Sequence, residues 1–268
     1  MKFAFMTFST PGLTLDENLD LVKQLGYDGL ELRISVEHKH GVEFDTDAAA
    51  RAVARRKSED AGVPYCCVAT SCSYADPAIT QQSVDDTRCA VDLAADIGCD
   101  RLRVFGGLYP DATSRQEAVD RVVTSLTSLT GHAQSRNVVI TVETHDAWCD
   151  PDDMAAVMAQ VDHPSIAVNW DIMHPVHRGG KTMQQAFDIL GPWIRHVHVH
   201  DGVMLDDGSC ELRTIDEGTV DHGAALRLLH GMGYDGYVSG EWINWEPHEA
   251  HLPRELAALR ELERNLGV

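Results

Sequence analysis

The chain is short of basic residues, of long apolar runs and of cysteine pairs, and each shortage excludes a class of protein. Lys and Arg number 22 against 42 Asp and Glu, a net charge of −20. A surface that negative repels nucleic-acid phosphates and anionic lipid, so neither partner is expected. No stretch approaches the roughly 20 apolar residues of a membrane helix. The N-terminal MKFAFMTFST turns polar by Thr7, too soon for the apolar core of a secretory leader. The seven cysteines (Cys66, Cys67, Cys72, Cys89, Cys99, Cys149, Cys210) are odd in number and include no CxxC pair. They read as reduced packing thiols of a cytoplasmic protein, not as a disulfide frame or zinc knuckle. What remains is a composition of 44% hydrophobic and 24% charged residues, that of a globular chain.

One theme repeats along all 268 residues: a short aliphatic run, a polar loop, an amphipathic stretch, then a Gly or Pro break. The runs predict strands at Phe3–Phe8, Gly29–Arg33, Pro64–Thr70, Arg101–Phe105, Val138–Glu143, Ile166–Asp171, Arg195–His200 and Gly236–Glu241. Leu15, Leu19, Val22 and Leu25 recur at helical spacing before Gly26, and Leu226, Leu229 and Met232 before Gly233. The joints LGYDGLEL (25–32) and MGYDGYVS (232–239) are near-copies, as a short helix-to-strand turn with a terminating glycine requires. No linker interrupts the alternation. The pattern predicts an α/β fold, a (β/α)₈ TIM barrel formed by residues 1–268 as a single domain, with its chemistry at the C-terminal strand ends.

Those ends are rich in ionisable groups. The fifth strand ends in Val142-Glu143-Thr144-His145, the sixth in Asn169-Trp170-Asp171 with His174 beyond, and the eighth in Gly240-Glu241-Trp242. The seventh, His196-Val197-His198-Val199-His200-Asp201, places three imidazoles on one face by its period of two. Any one carboxylate here could cap a helix or pair with an arginine. Glu143, Asp171, His198 and Glu241 together, from four successive strands, compose a metal site. Three carboxylates and one imidazole favour a hard ion, Mn²⁺ or Mg²⁺ or else Co²⁺, with positions left for substrate oxygens or water. His196 is expected deeper in the core and His200 at the rim. His38, His40, His163 and His230 are expected on the surface. Trp148, Trp170, Trp242 and Trp245 are expected to crowd the mouth, where they could wall a sugar ring or an aromatic aglycone.

The motifs ETH (143–145), DIMH (171–174), HVHVHD (196–201), Arg213 with DEG (216–218), and GYVSGE (236–241) resemble the xylose isomerase-like barrel superfamily. The likeness is to its sugar phosphate isomerase/epimerase group, which includes ketose 3-epimerases, hydroxypyruvate isomerase and inosose dehydratase. The resemblance implies metal ligation by Glu143, Asp171, His198 and Glu241, with His174 and Arg213 facing substrate oxygens and Glu143 and Glu241 as the paired acid and base. His200 departs from the Lys usual in the HxHxKD stretch, and Asp207 to Glu211 are expected in a loop. An endonuclease of the same superfamily takes extra His ligands from strands three and four. Here those strand ends offer Thr70, Ser71 and Cys72, then Phe105 and Gly106.

A metal that chelates a ketone and its neighbouring hydroxyl acidifies the C–H between them, so the resemblance implies an isomerase or epimerase of a small sugar working through an enediolate. With a leaving group on the next carbon the same site would be a lyase, either a dehydratase or a deglycosidase subunit acting on 3-keto-glycosides. His145 is then a candidate proton donor. A third alternative is a non-catalytic metal-binding subunit. A homo-oligomer is expected, or a hetero-oligomer with a smaller subunit. Phosphate recognition has little support, because Arg178-Gly179-Gly180-Lys181 reads equally as a surface helix start.

Overall fold

A computed structural model describes residues 1–205 and 209–266. Eight parallel strands close into a barrel: β1 (Lys2–Met6), β2 (Gly29–Arg33), β3 (Tyr65–Ser73), β4 (Arg101–Phe105), β5 (Val139–Glu143), β6 (Ile166–Asp171), β7 (Ile194–Val199) and β10 (Tyr237–Gly240). β10 returns to pair with β1, Phe3 opposite Val238, which closes the ring. Between β7 and β10 the chain inserts an antiparallel hairpin, β8 (Asp201–Met204) and β9 (Cys210–Arg213). Part of the expected loop is therefore strand; Asp207 lies outside the described residues.

Helices fill the outer ring: α1 (Leu15–Leu25), α2 (Ala48–Ala61), α3 (Thr80–Ile97), α4 (Arg115–Ser135), α5 (Pro151–Val161), α6 (His174–His177), α7 (Met183–Leu190), α8 (His222–Gly231) and α9 (His248–Arg264). Capping boxes start three of them, with Thr14 and Glu17 at α1, Ser114 and Glu117 at α4, and Thr182 and Gln185 at α7. Each satisfies two backbone donors that a helix start leaves free. The two copied joints end alike, with Gly26 at φ 84° and Gly233 at φ 73°, where a side chain would be strained.

Alternation along the strands separates two environments. Outward residues such as Leu102, Val104, Val142, Val168, Val197 and Val238 are fully buried against the helices and form the apolar core. Inward ones include Glu31, Arg103, Glu143, Asn169, Asp171, His196 and His198, all essentially buried. Apolar branched side chains usually fill a barrel of this kind. This one holds a polar network, which must satisfy its own charges.

Candidate active site

The ends of β5, β6, β7 and β10 bring Glu143, Asp171, His198 and Glu241 together: one donor atom of each lies within 4.8 Å of the others, and all four residues are buried. His198 Nδ1 stands 3.2 Å from Glu143 Oε1 and 3.2 Å from Glu241 Oε2. Its Nε2 lies 3.0 Å from Glu31 Oε1, and Glu31 Oε2 in turn lies 2.9 Å from His196 Nε2. A carboxylate that accepts the Nε2–H fixes the ring's tautomer and turns the Nδ1 lone pair to the two glutamates, as metal-ligating histidines require. The deep placement of His196 matches the sequence expectation.

Asp171 is held from several sides. Its Oδ1 accepts the backbone N–H groups of Met173 and His174, its Oδ2 lies 2.8 Å from His200 Nε2, and His174 Nε2 approaches to 3.9 Å. Burial alone would raise its pKa, but the charges of His200 and then His174 hold it well below the usual carboxylate range. For His198, burial works downward and is overcome by Glu31, then Glu143 and Glu241, which push its pKa well up. His200, the residue standing for the usual Lys, is likewise raised by Asp171 against burial. In His174 burial wins over Asp171 and lowers the pKa to about 4; its buried Nδ1 has no partner. His145, half-buried, lies 2.9 Å from Asp146 and packs at 4.5 Å, ring to ring, on His174. Against burial, the Asp146 hydrogen bond and the Glu143 charge raise it to about 9, so it is an imidazolium at neutral pH.

Sequence reasoning missed Arg103 and Glu31. Arg103 is fully buried, with Nε 3.0 Å from Glu143 Oε2 and Nη2 3.6 Å from Glu241 Oε1. The signal was present in Arg-Leu-Arg-Val-Phe (101–105), a strand whose central residue is charged and alternates inward between aliphatic neighbours. In Leu30-Glu31-Leu32 the same alternation turns Glu31 to the axis.

The donor set fits a divalent ion. The connected network holds the carboxylates of Glu31, Glu143, Asp171 and Glu241 against the single guanidinium of Arg103. Protons on His198 and His200 are one way to cover that excess of negative charge, and a hard cation among oxygen and nitrogen donors is another.

Several expected site residues lie elsewhere. Trp170 is fully buried and packs on Phe187, because Asn169 and Asp171 take the inward positions of β6 and send the residue between them outward. Trp242 is also fully buried, folded over Gly240 so closely that a Cβ there would come within 2.0 Å of its ring. It meets His251 of α9. Neither presents a face to a sugar, and Trp148, buried with Nε1 donating to Gly107 O, does not either. Arg213 is on the hairpin, paired through both terminal nitrogens with Glu211, and among the described residues it forms no ion pair with the four clustered residues. His40 is buried, bonded at 3.0 Å to Arg33 O, not on the surface.

Residues 19–262 match the family model of the xylose isomerase-like TIM barrel, and the chain belongs to that family. Over 79 residues, 30% of this chain and 21% of the relative, it is 32% identical to a 3'-dehydrocarminate deglycosidase alpha subunit from a Microbacterium species. Over 161 residues, 57% of the chain and 58% of the relative, it is 24% identical to a 2-oxo-tetronate isomerase of Cupriavidus necator. The matches thus span about a fifth to three fifths of these relatives' lengths. Among solved structures, a probable 3-DHS dehydratase of petrobactin synthesis from Bacillus anthracis superposes with a TM-score of 0.81 at 18% identity, covering 97% of this chain and 99% of that one. At that identity the likeness is one of fold.

Proposed function

We propose that this chain is a divalent-metal-dependent isomerase or epimerase of a small keto-sugar, with Glu143, Asp171, His198 and Glu241 holding Mn²⁺, Mg²⁺ or Co²⁺. The observation that carries the reading is the convergence of those four buried side chains within 4.8 Å. The isomerase among the relatives supports it. A bound ion would supply the Lewis acidity that makes a C–H beside a ketone removable. Glu143 and Glu241, both at 3.2 Å from one imidazole nitrogen, are the acid–base pair: one takes the proton and the other returns it. Return to the opposite face of the same carbon gives an epimer, and return to the neighbouring carbon an isomer. His174, neutral and with a free buried nitrogen, contacts a substrate oxygen. Arg213 would join it by exchanging Glu211 for substrate.

Incubation of the Mn²⁺-loaded protein with ketoses in D₂O tests the reading. Solvent deuterium in a recovered sugar is expected, and its absence from every sugar tried would overturn it.

A lyase reading has one observation of its own. His145, its pKa raised against burial to about 9 by Asp146 and Glu143 and its ring packed 4.5 Å from the His174 ring, would donate a proton to a departing group, and the deglycosidase subunit among the relatives acts, by its name, on a dehydrogenated glycoside. Release of aglycone from 3-keto-glycosides, with or without a co-purifying small subunit, would favour elimination over epimerisation. The seven free cysteines accord with a reducing, cytoplasmic setting, and among the described residues no helix is long and apolar enough to cross a membrane.

A further inference from the structure

Two guanidinium groups share one layer of the barrel, and only one of them is in an ion pair among the described residues. Arg33 stands opposite Ala69 on β3, and Ala69 stands opposite Arg103 on β4. Arg103 meets Glu143 and Glu241. Arg33, only 5% exposed, donates to Ile34 O, to Ala69 O at 3.2 Å and to Ser71 Oγ, while its buried Nε donates to nothing. Among the described residues no carboxylate forms an ion pair with it. Phe8 covers one face, its ring centre 5.2 Å from the guanidinium carbon.

A buried cation with no carboxylate in direct contact is costly, and hydrogen bonds to neutral carbonyls and one hydroxyl offset only part of that cost. Burial, then the neighbouring charge of Arg103, lowers the Arg33 pKa to about 10 against the weaker pull of Glu241, Glu143 and Glu43, none of which pairs with it directly. The residue closes β2 at the C-terminal face, where barrels of this kind carry their chemistry. Ser71, to which it donates, is exposed, so this end of the guanidinium borders the mouth.

We propose that Arg33, with Ser71 beside it, binds a carboxylate of the substrate, so that the keto-sugar handled at this site is a sugar acid. A guanidinium presents paired N–H donors that match a carboxylate, and the unpartnered Nε is one member of such a pair. The inference deepens the proposed isomerase reading and rests on it for the identity of the rest of the molecule. The contrary view gives Arg33 only a structural duty, tying Ile34 and Ala69 together, and predicts no preference between acid and neutral ligands.

Titration calorimetry with D-gluconate and D-sorbitol, which differ in charge at one end, separates the two. Wild-type protein, both Mn²⁺-loaded and metal-free, is expected to bind gluconate at least about tenfold more tightly than sorbitol. Arg33→Gln should reduce that preference to under about twofold, and Arg33→Lys should keep part of it. No preference in the wild type, or an undiminished preference in a folded Arg33→Gln, overturns the subsite. The wild-type comparison needs no variant to fold. Deuterium exchange into neutral ketoses with no acid preference would remove the subsite and leave the isomerase reading standing; an Arg33-dependent preference with no exchange into any sugar or sugar acid would do the reverse.

Discussion

The two halves of the barrel contribute to the site in different ways. β5, β6, β7 and β10 deliver Glu143, Asp171, His198 and Glu241 at or beside their C-terminal ends, pointing at one place. β2 and β4 contribute Glu31 and Arg103 from mid-strand, and these touch the first set without joining it. On the proposed reading one half supplies donors for an ion and a proton; the other holds those donors in position, and its Arg103 offsets their charge. A buried cluster of carboxylates is stable only when something cationic or hydrogen-bonding lies behind it, so the second half is as necessary as the first.

Four changes probe that division, beginning with the largest effect. Glu143→Gln should slow solvent deuterium exchange into substrate by about 10²–10⁴-fold, the usual worth of a positioned proton-transfer group. An unchanged exchange rate would remove the glutamate from the chemistry. Arg103→Met, in the other half, leaves Glu143 and Glu241 buried without their cation and should lower metal-free stability to urea by about 3–5 kcal/mol. Mn²⁺ at a hundred times its dissociation constant should restore about 2.7 kcal/mol of that by mass action. A loss below about 1 kcal/mol would mean that the halves are not electrostatically joined.

Glu31→Gln frees the His198 ring to turn and should weaken Mn²⁺ binding by about 10–100-fold, measured by calorimetry. Equal affinity in the variant would confine Glu31 to packing. The smallest effect belongs to a position far from both sets. Gly26→Ala, forced to φ 84°, should cost about 1 kcal/mol of stability with Mn²⁺ affinity unaltered, which separates damage to the frame from damage to the site.

The same division marks what was legible in the chain. The eight barrel strands lie within a few residues of the periodic runs, because each has an outward face buried against helices and therefore reads as aliphatic. β3 runs on to Ser73 past the expected end at Thr70, through a register irregularity after Ala69 that no local pattern announces. The four clustered side chains were legible because strand-end carboxylates and the His-x-His alternation stand out against apolar neighbours. Trp170 and Trp242 were misplaced for a related reason: a large aromatic beside a polar strand end looks like a mouth residue, although the pleat sends Trp170 outward and Gly240 lets Trp242 fold back over the strand against His251 of α9.

By itself the sequence determined the alternation of strand and helix, the turns at Gly26 and Gly233, and which inward positions carry charge, since all of these follow from spacing and local backbone preference. Only the closed ring decided which of those charges meet. Glu31 reaches His198 across 167 residues, and Arg103 reaches two glutamates on different strands. Contacts of that range depend on barrel closure and strand register, which no window of sequence contains.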